Sequence, residues 1–127
     1  MRIFLVRHAE AAPGEPDELR ALTPAGREAA RALGERLARH APDAVVSSPL
    51  LRARETAEPI ADALGLKAES DDRLAPGADV TDLSGAVNGR GQTVVVVGHQ
   101  PDCSEIVLAL TGEEVSFAPG GVVELDL

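Results

Sequence analysis

Two short apolar runs constrain this chain more than anything else in it. Residues 3–6 (Ile-Phe-Leu-Val) and the four valines 94–97 show no polar–apolar alternation, so each must be buried on both faces. Strands of that kind lie in the middle of a sheet that helices cover on either side. Both runs also end alike. The first gives way to Arg7-His8 and the second to Gly98-His99, placing a guanidinium and two imidazoles where strands should stop. In open α/β sheets, ligands bind in the crevice beyond the carboxyl ends of the strands, which makes these residues candidates for a site.

The segments between the runs supply the helices. Residues 10–20 are rich in Pro, Gly and acid, a loop composition. Thr23 then reads as an N-cap with Pro24 at the first helical position. Gly26, Ala29, Ala30, Leu33 and Leu37 share one face of a helix reaching about His40, and Pro42 ends it. Residues 43–49 read as the second strand, closed by Ser48-Pro49. A helix over 50–64 follows, with Gly65 as its C-cap and Pro59 inside it, where a kink or break is expected. Residues 66–70 read as the third strand, 79–87 as a short helix and 93–97 as the fourth strand. Cys103, Ile106, Val107 and Leu110 recur at helical spacing, and 122–127 is the last strand. This alternation predicts an α/β fold: a three-layer sandwich with a mostly parallel central sheet of about five strands and right-handed crossovers. No repeat or linker divides the chain, so residues 1–127 are expected to form one domain.

Composition narrows the function classes. The 127 residues are 44 % hydrophobic with two Phe and neither Trp nor Tyr, so the core must be aliphatic. Twelve Lys and Arg against 21 Asp and Glu give a net charge of −9, which argues against a nucleic-acid partner. No apolar run approaches the roughly 20 residues that span a bilayer, and nothing at the N-terminus reads as a signal peptide. Cys103 stands alone, which excludes an internal disulfide and fits a reducing compartment. A cytoplasmic domain with no membrane association is expected. Cys103 lies on an apolar stripe and has Ala109, not Arg, six residues later, against a cysteine-phosphatase loop. His40 is assigned to the C-terminal end of its helix, so the three histidines do not suggest zinc. No Gly-rich nucleotide-binding loop is present.

Parallel strands would bring three strand ends to one edge of the sheet. Arg7, His8 and His99 would meet there with a guanidinium from the helix after Ser48-Pro49. Arg52 and Arg54 are about 200° apart around that helix, so only one can face the same anion, and spacing alone does not choose. Arginine forks, imidazoles and helix N-termini together describe a site for a phosphate-like anion.

These residues resemble a known family. Arg7-His8-Ala9-Glu10-Ala11, Ser47-Ser48-Pro49-Leu50-Leu51-Arg52-Ala53-Arg54-Glu55-Thr56-Ala57 and Val97-Gly98-His99-Gln100-Pro101 look like the histidine phosphatase (phosphoglycerate mutase-like) superfamily. The short length and the His-Ala-Glu variant are most similar to its small SixA-type phosphohistidine phosphatases. The resemblance runs from residue 1 to the last strand and includes Leu22-Thr23-Pro24-Ala25-Gly26. It implies a metal-independent phosphatase without cofactors, acting on a phosphorylated protein or a small phosphorylated substrate. By resemblance, His8 is the nucleophile, Arg7 and Arg52 clamp the phosphate, and His99 is the second pocket histidine.

One departure concerns the acid. Larger relatives carry a Glu that protonates the leaving group on an insertion between the third strand and the last histidine. Here that interval is only residues 71–92, with Asp79, Asp82 and Glu10 as possible stand-ins, though each reads first as a solvated surface acid or helix cap. A phosphoramidate expels its nitrogen more easily than an ester expels an alkoxide, so phosphohistidine could need none of them. The missing insertion also implies an open site without a large cap. A general small-molecule phosphomonoesterase and a phosphoprotein-binding module without turnover are the alternatives, and the sequence does not address oligomeric state.

Overall fold

A computed structural model describes all 127 residues, Met1–Leu127. Five strands and four helices alternate along most of the chain: β1 (Arg2–Arg7), α1 (Pro24–Ala38), β2 (Ala44–Ser47), α2 (Leu51–Leu64), β3 (Glu69–Ser70), α3 (Val80–Val87), β4 (Thr93–Gly98), α4 (Asp102–Thr111) and β5 (Val122–Asp126). Single 3-10 turns at Asp17–Leu19 and Asp72–Leu74 precede α1 and α3. The strand order is β3-β2-β4-β1-β5. The two unbroken apolar runs are the two central strands, and both are buried on either face.

Each face of the sheet has its own core. Phe4, Val6, Val45, Val95 and Val97 pack under Leu33 and Leu37 of α1 and Ala53, Ala57, Ile60 and Ala61 of α2. Ile3, Leu5, Val46, Val94 and Val96 pack on the opposite face under Leu83, Ala86 and Val87 of α3 and Cys103, Ile106 and Val107 of α4. The helices that follow the neighbouring strands β1 and β4 therefore go to opposite faces. That divergence opens a crevice at the carboxyl ends of these strands.

The expectation of a mostly parallel sheet needs correction at one edge, because the sheet is mixed. β1, β4, β2 and β3 run parallel, but β5 pairs antiparallel with β1. After α4 the chain climbs back to the carboxyl edge, where Gly120 N–H donates to the carbonyls of Arg7 and His8 at 3.0 and 3.1 Å. From there β5 can only descend. Gly120 makes this turn with φ +76, a conformation that favours glycine.

Four local expectations change. α1 ends at Ala38, two residues before His40, and its buried face takes Gly34 in place of the exposed Ala29. His40 does not cap that helix: its Nδ1 accepts from Arg2 Nη2 at 2.8 Å and its ring lies 4.8 Å from that of Phe4. Pro59 does not divide α2, which runs unbroken because Ala57, Ile60 and Ala61 around it are buried and outweigh one lost backbone bond. β3 keeps only two residues, since Leu66 and Ala68 pack against the core below the sheet edge. Thr23 caps α1 as expected, its Oγ1 accepting from Gly26 N at 3.0 Å, and Gly65 ends α2 with φ +68. No helix is long and apolar enough to cross a membrane.

Candidate active site

Strand register builds the site. Arg7 lies opposite Gly98 and Ser47 opposite Val97, so the next residues along each strand, His8, His99 and Ser48, emerge at one edge. The pairing extends into them: His8 N–H donates to Gly98 O and Ser48 N–H to Val97 O, both at 3.0 Å. Arg7, His8, Arg20, Arg52, Pro76, His99 and Gln100 surround one open cavity of about 250 Å³.

The two imidazoles meet edge to face with ring centroids 5.3 Å apart. His8 Nδ1 donates to the carbonyl of Ala9 at 2.7 Å. Burial, reinforced by the charges of Arg52, Arg7 and Arg20, holds the His8 pKa below the usual histidine value despite that bond. The neutral ring therefore carries its proton on Nδ1 and a free electron pair on Nε2. His99 is placed differently. Ser48 Oγ accepts from Leu50 N at 3.2 Å and lies 2.7 Å from His99 Nε2, so the hydroxyl proton is free to donate to that nitrogen. His99 then keeps its own proton on Nδ1. Burial, with His8 and Arg52 nearby, lowers the His99 pKa to about 4.

Only two buried side-chain nitrogens in the protein lack a partner, Arg7 Nε and His99 Nδ1, and both belong to residues of this cavity. Buried donors are almost always satisfied, which marks these two residues as candidates to hold a bound oxyanion. Arg7 Nη1 is anchored on Phe117 O at 2.8 Å. Arg52, 7 % exposed, donates from Nη1 to Asp17 O at 2.9 Å and from Nη2 to Asp17 Oδ2 at 3.2 Å. Arg54 is exposed, folds back onto Pro49 O and does not line the cavity, so of the two it is Arg52 that does.

The three candidate acids take the surface and capping places expected of them. Asp79 and Asp82 cap α3 reciprocally, each carboxylate accepting the other's backbone N–H at 3.0 Å. Glu10 Oε1 accepts from Thr23 Oγ1 at 2.8 Å beside the start of α1. None of the three lines the cavity. Cys103 is core, and burial pushes its thiol up to about 12. No group of His, Cys, Asp and Glu gathers closely enough to hold a metal ion.

Several residues at the site carried no signal that sequence reading used. Ser48 orients His99. Thr56 Oγ1 accepts from Ala9 N at 3.0 Å and donates to Arg52 O at 2.8 Å, tying the His8 loop to the Arg52 turn. Glu55 Oε1 accepts from Leu22 N at 2.8 Å and holds the far end of the same loop. Ser48, Glu55 and Thr56 all sit inside the 47–57 stretch that carried the resemblance, which was the available clue. Arg20 and Asp17 stood in a segment read only as loop.

Comparison with known proteins agrees with this geometry. The profile of the histidine phosphatase superfamily (branch 1) matches residues 3–76, more than half of the chain. A phosphohistidine phosphatase SixA homolog of Haemophilus influenzae is 30 % identical, the match covering 98 % of this chain and 87 % of that protein. The structure of the protein histidine phosphatase SixA complexed with tungstate superposes with a TM-score of 0.87 at 30 % identity, covering 100 % of this chain and 88 % of the other. A mycobacterial glucosyl-3-phosphoglycerate phosphatase shares the fold at 22 % identity and a TM-score of 0.68, over 88 % of this chain and 80 % of the other. With its strand-end histidines converging on one arginine-lined cavity, this chain belongs to the histidine phosphatase superfamily.

Proposed function

We propose that this protein hydrolyses phosphohistidine on a protein through a covalent phosphoryl intermediate on His8. The observation that carries the reading is the Ala9 carbonyl on His8 Nδ1, which leaves Nε2 as the free nucleophile in a cavity lined by three arginines. Its likeness to SixA phosphohistidine phosphatases over nearly the whole chain supports the substrate class.

The chemistry runs in two steps. Nε2 attacks phosphorus, a nitrogen–phosphorus bond forms, and the bond to the leaving nitrogen breaks with its electron pair staying on that nitrogen. A substrate imidazole protonated at its distal nitrogen leaves as neutral imidazole and needs no acid from the enzyme. Water then attacks phosphorus, inorganic phosphate departs, and the electron pair returns to Nε2. Arg7 and Arg52 spread the charge of the transferred phosphoryl, and the buried His99 Nδ1–H donates to one of its oxygens.

The 22 residues between β3 and β4 hold only a 3-10 turn and α3, which supports an open site without a large cap. A histidine-phosphorylated protein should therefore be turned over well above para-nitrophenyl phosphate and sugar phosphates. His8→Ala should abolish both turnover and acid-labile labelling of the enzyme. Comparable rates on small esters would replace this reading with a general phosphomonoesterase, and absence of a labelled enzyme would leave only a binding module.

A further inference from the structure

Arg52 and Arg20 come from different parts of the chain and meet on one carboxylate. Asp17 Oδ2 takes Arg52 Nη2 and Asp17 Oδ1 takes Arg20 Nη1, each at 3.2 Å. The Asp17 carbonyl adds the bond to Arg52 Nη1 at 2.9 Å, and the carbonyl of Ala12 takes Arg20 Nε at 2.9 Å. Both guanidiniums line the cavity that also holds His8. We propose that Asp17 is a positioning residue for the phosphoryl site, a brace that sets the spacing of two guanidiniums. This deepens the phosphatase reading above and rests on it.

Three observations support the brace. Arg52 is 7 % exposed, and a buried cation needs a fixed counter-charge or it turns toward water. Arg7, Arg20 and Arg52 crowd one cavity and repel one another, so a carboxylate shared by two of them holds them together. Finally, each guanidinium has five N–H groups, and Asp17 engages two on Arg52 and one on Arg20, which leaves donors on both for an oxyanion. Asp17 itself touches no reacting atom.

The Asp17 side chain is 58 % exposed, and exposed ion pairs contribute little to stability. Activity and stability should therefore respond differently when it is changed. Asp17→Ala should lower kcat/KM by about tenfold or more, chiefly through KM, because misplaced clamping groups cost rates of that order. The dissociation constant for inorganic phosphate should rise in parallel, while the melting temperature moves by no more than about 2 °C. Asp17→Asn keeps an acceptor oxygen and should recover part of the loss. In an Arg52→Ala background the same Asp17→Ala change should cost about threefold or less, since only Arg20 is left to brace.

An equal loss in both backgrounds, or a fall in melting temperature matching the loss of activity, would overturn the proposal. So would tighter phosphate binding by Asp17→Ala, which would show that the carboxylate competes for Arg52. If the unaltered protein is not labelled on His8, the phosphatase reading fails. If it is labelled and the Asp17 variants behave like it, only the brace fails.

Discussion

A single backbone carbonyl decides which nitrogen of His8 is free. Burial and three nearby guanidiniums lower its pKa below the usual histidine value, which favours the neutral ring that the proposed attack by His8 requires. The acid limb of kcat/KM should therefore lie below pH 6.5, and initial rates across pH 5 to 8 would place it; a limb above 6.5 contradicts the assignment. In the proposed mechanism Arg52→Ala or Arg7→Ala removes a donor to the developing charge and should cost about 100- to 1000-fold in kcat, by analogy with loss of one oxyanion donor. Ser48→Ala frees the His99 ring from its 2.7 Å contact. A lost buried hydrogen bond of about 1–3 kcal/mol corresponds to a fall of about 5- to 150-fold in kcat/KM, measurable with the same substrate.

At the level of elements, the start of α3 and the crossing of α1 with α2 yield distinct tests. Asp79 closes a capping box, so Asp79→Ala should lower the urea midpoint and leave turnover of a histidine-phosphorylated protein unchanged. A large loss of turnover would instead point to Asp79 as the acid. Gly34 lies where α1 meets α2, and a Cβ there would stand 2.8 Å from Pro59 O and 3.1 Å from Ile60 Cα. Both are backbone atoms, so Gly34→Ala should force the helices apart and cost about 1–3 kcal/mol, read from the same unfolding curves. These elements were largely legible beforehand. Thr23-Pro24 marks the start of α1 and Gly65 the end of α2 through backbone chemistry that acts within a few residues. The length of β3 was not legible, because whether Leu66 and Ala68 pair in a strand or pack beneath it depends on neighbours distant in sequence.

For the whole molecule, burying neutral histidines comes at the expense of acid stability. The His99 pKa falls to about 4 in the folded state from an ordinary 6.5, and that of His8 also falls. As pH drops from 6.5 toward 4, the unfolded chain binds protons that the folded protein refuses, so stability declines across that window. Carboxylates held by arginines, such as Asp17 and Glu124, add to the loss only below about pH 5. Urea midpoints measured between pH 7 and 5 should therefore fall, and His99→Gln should flatten part of that slope. A slope unchanged by the substitution would place the cause elsewhere.

The chain by itself determined its central strands, most of its helices and the presence of Arg and His at strand ends. Those properties follow from which residues lie side by side along the backbone. Tertiary structure alone decided that β5 runs antiparallel, that Arg52 and not Arg54 enters the cavity, and that Ser48 and Thr56 hold the His99 ring and the loop after His8. A hydrogen bond between residues about 50 apart, such as His99 to Ser48, leaves no periodic trace in sequence. It exists only once parallel strands have brought both residues to the same edge.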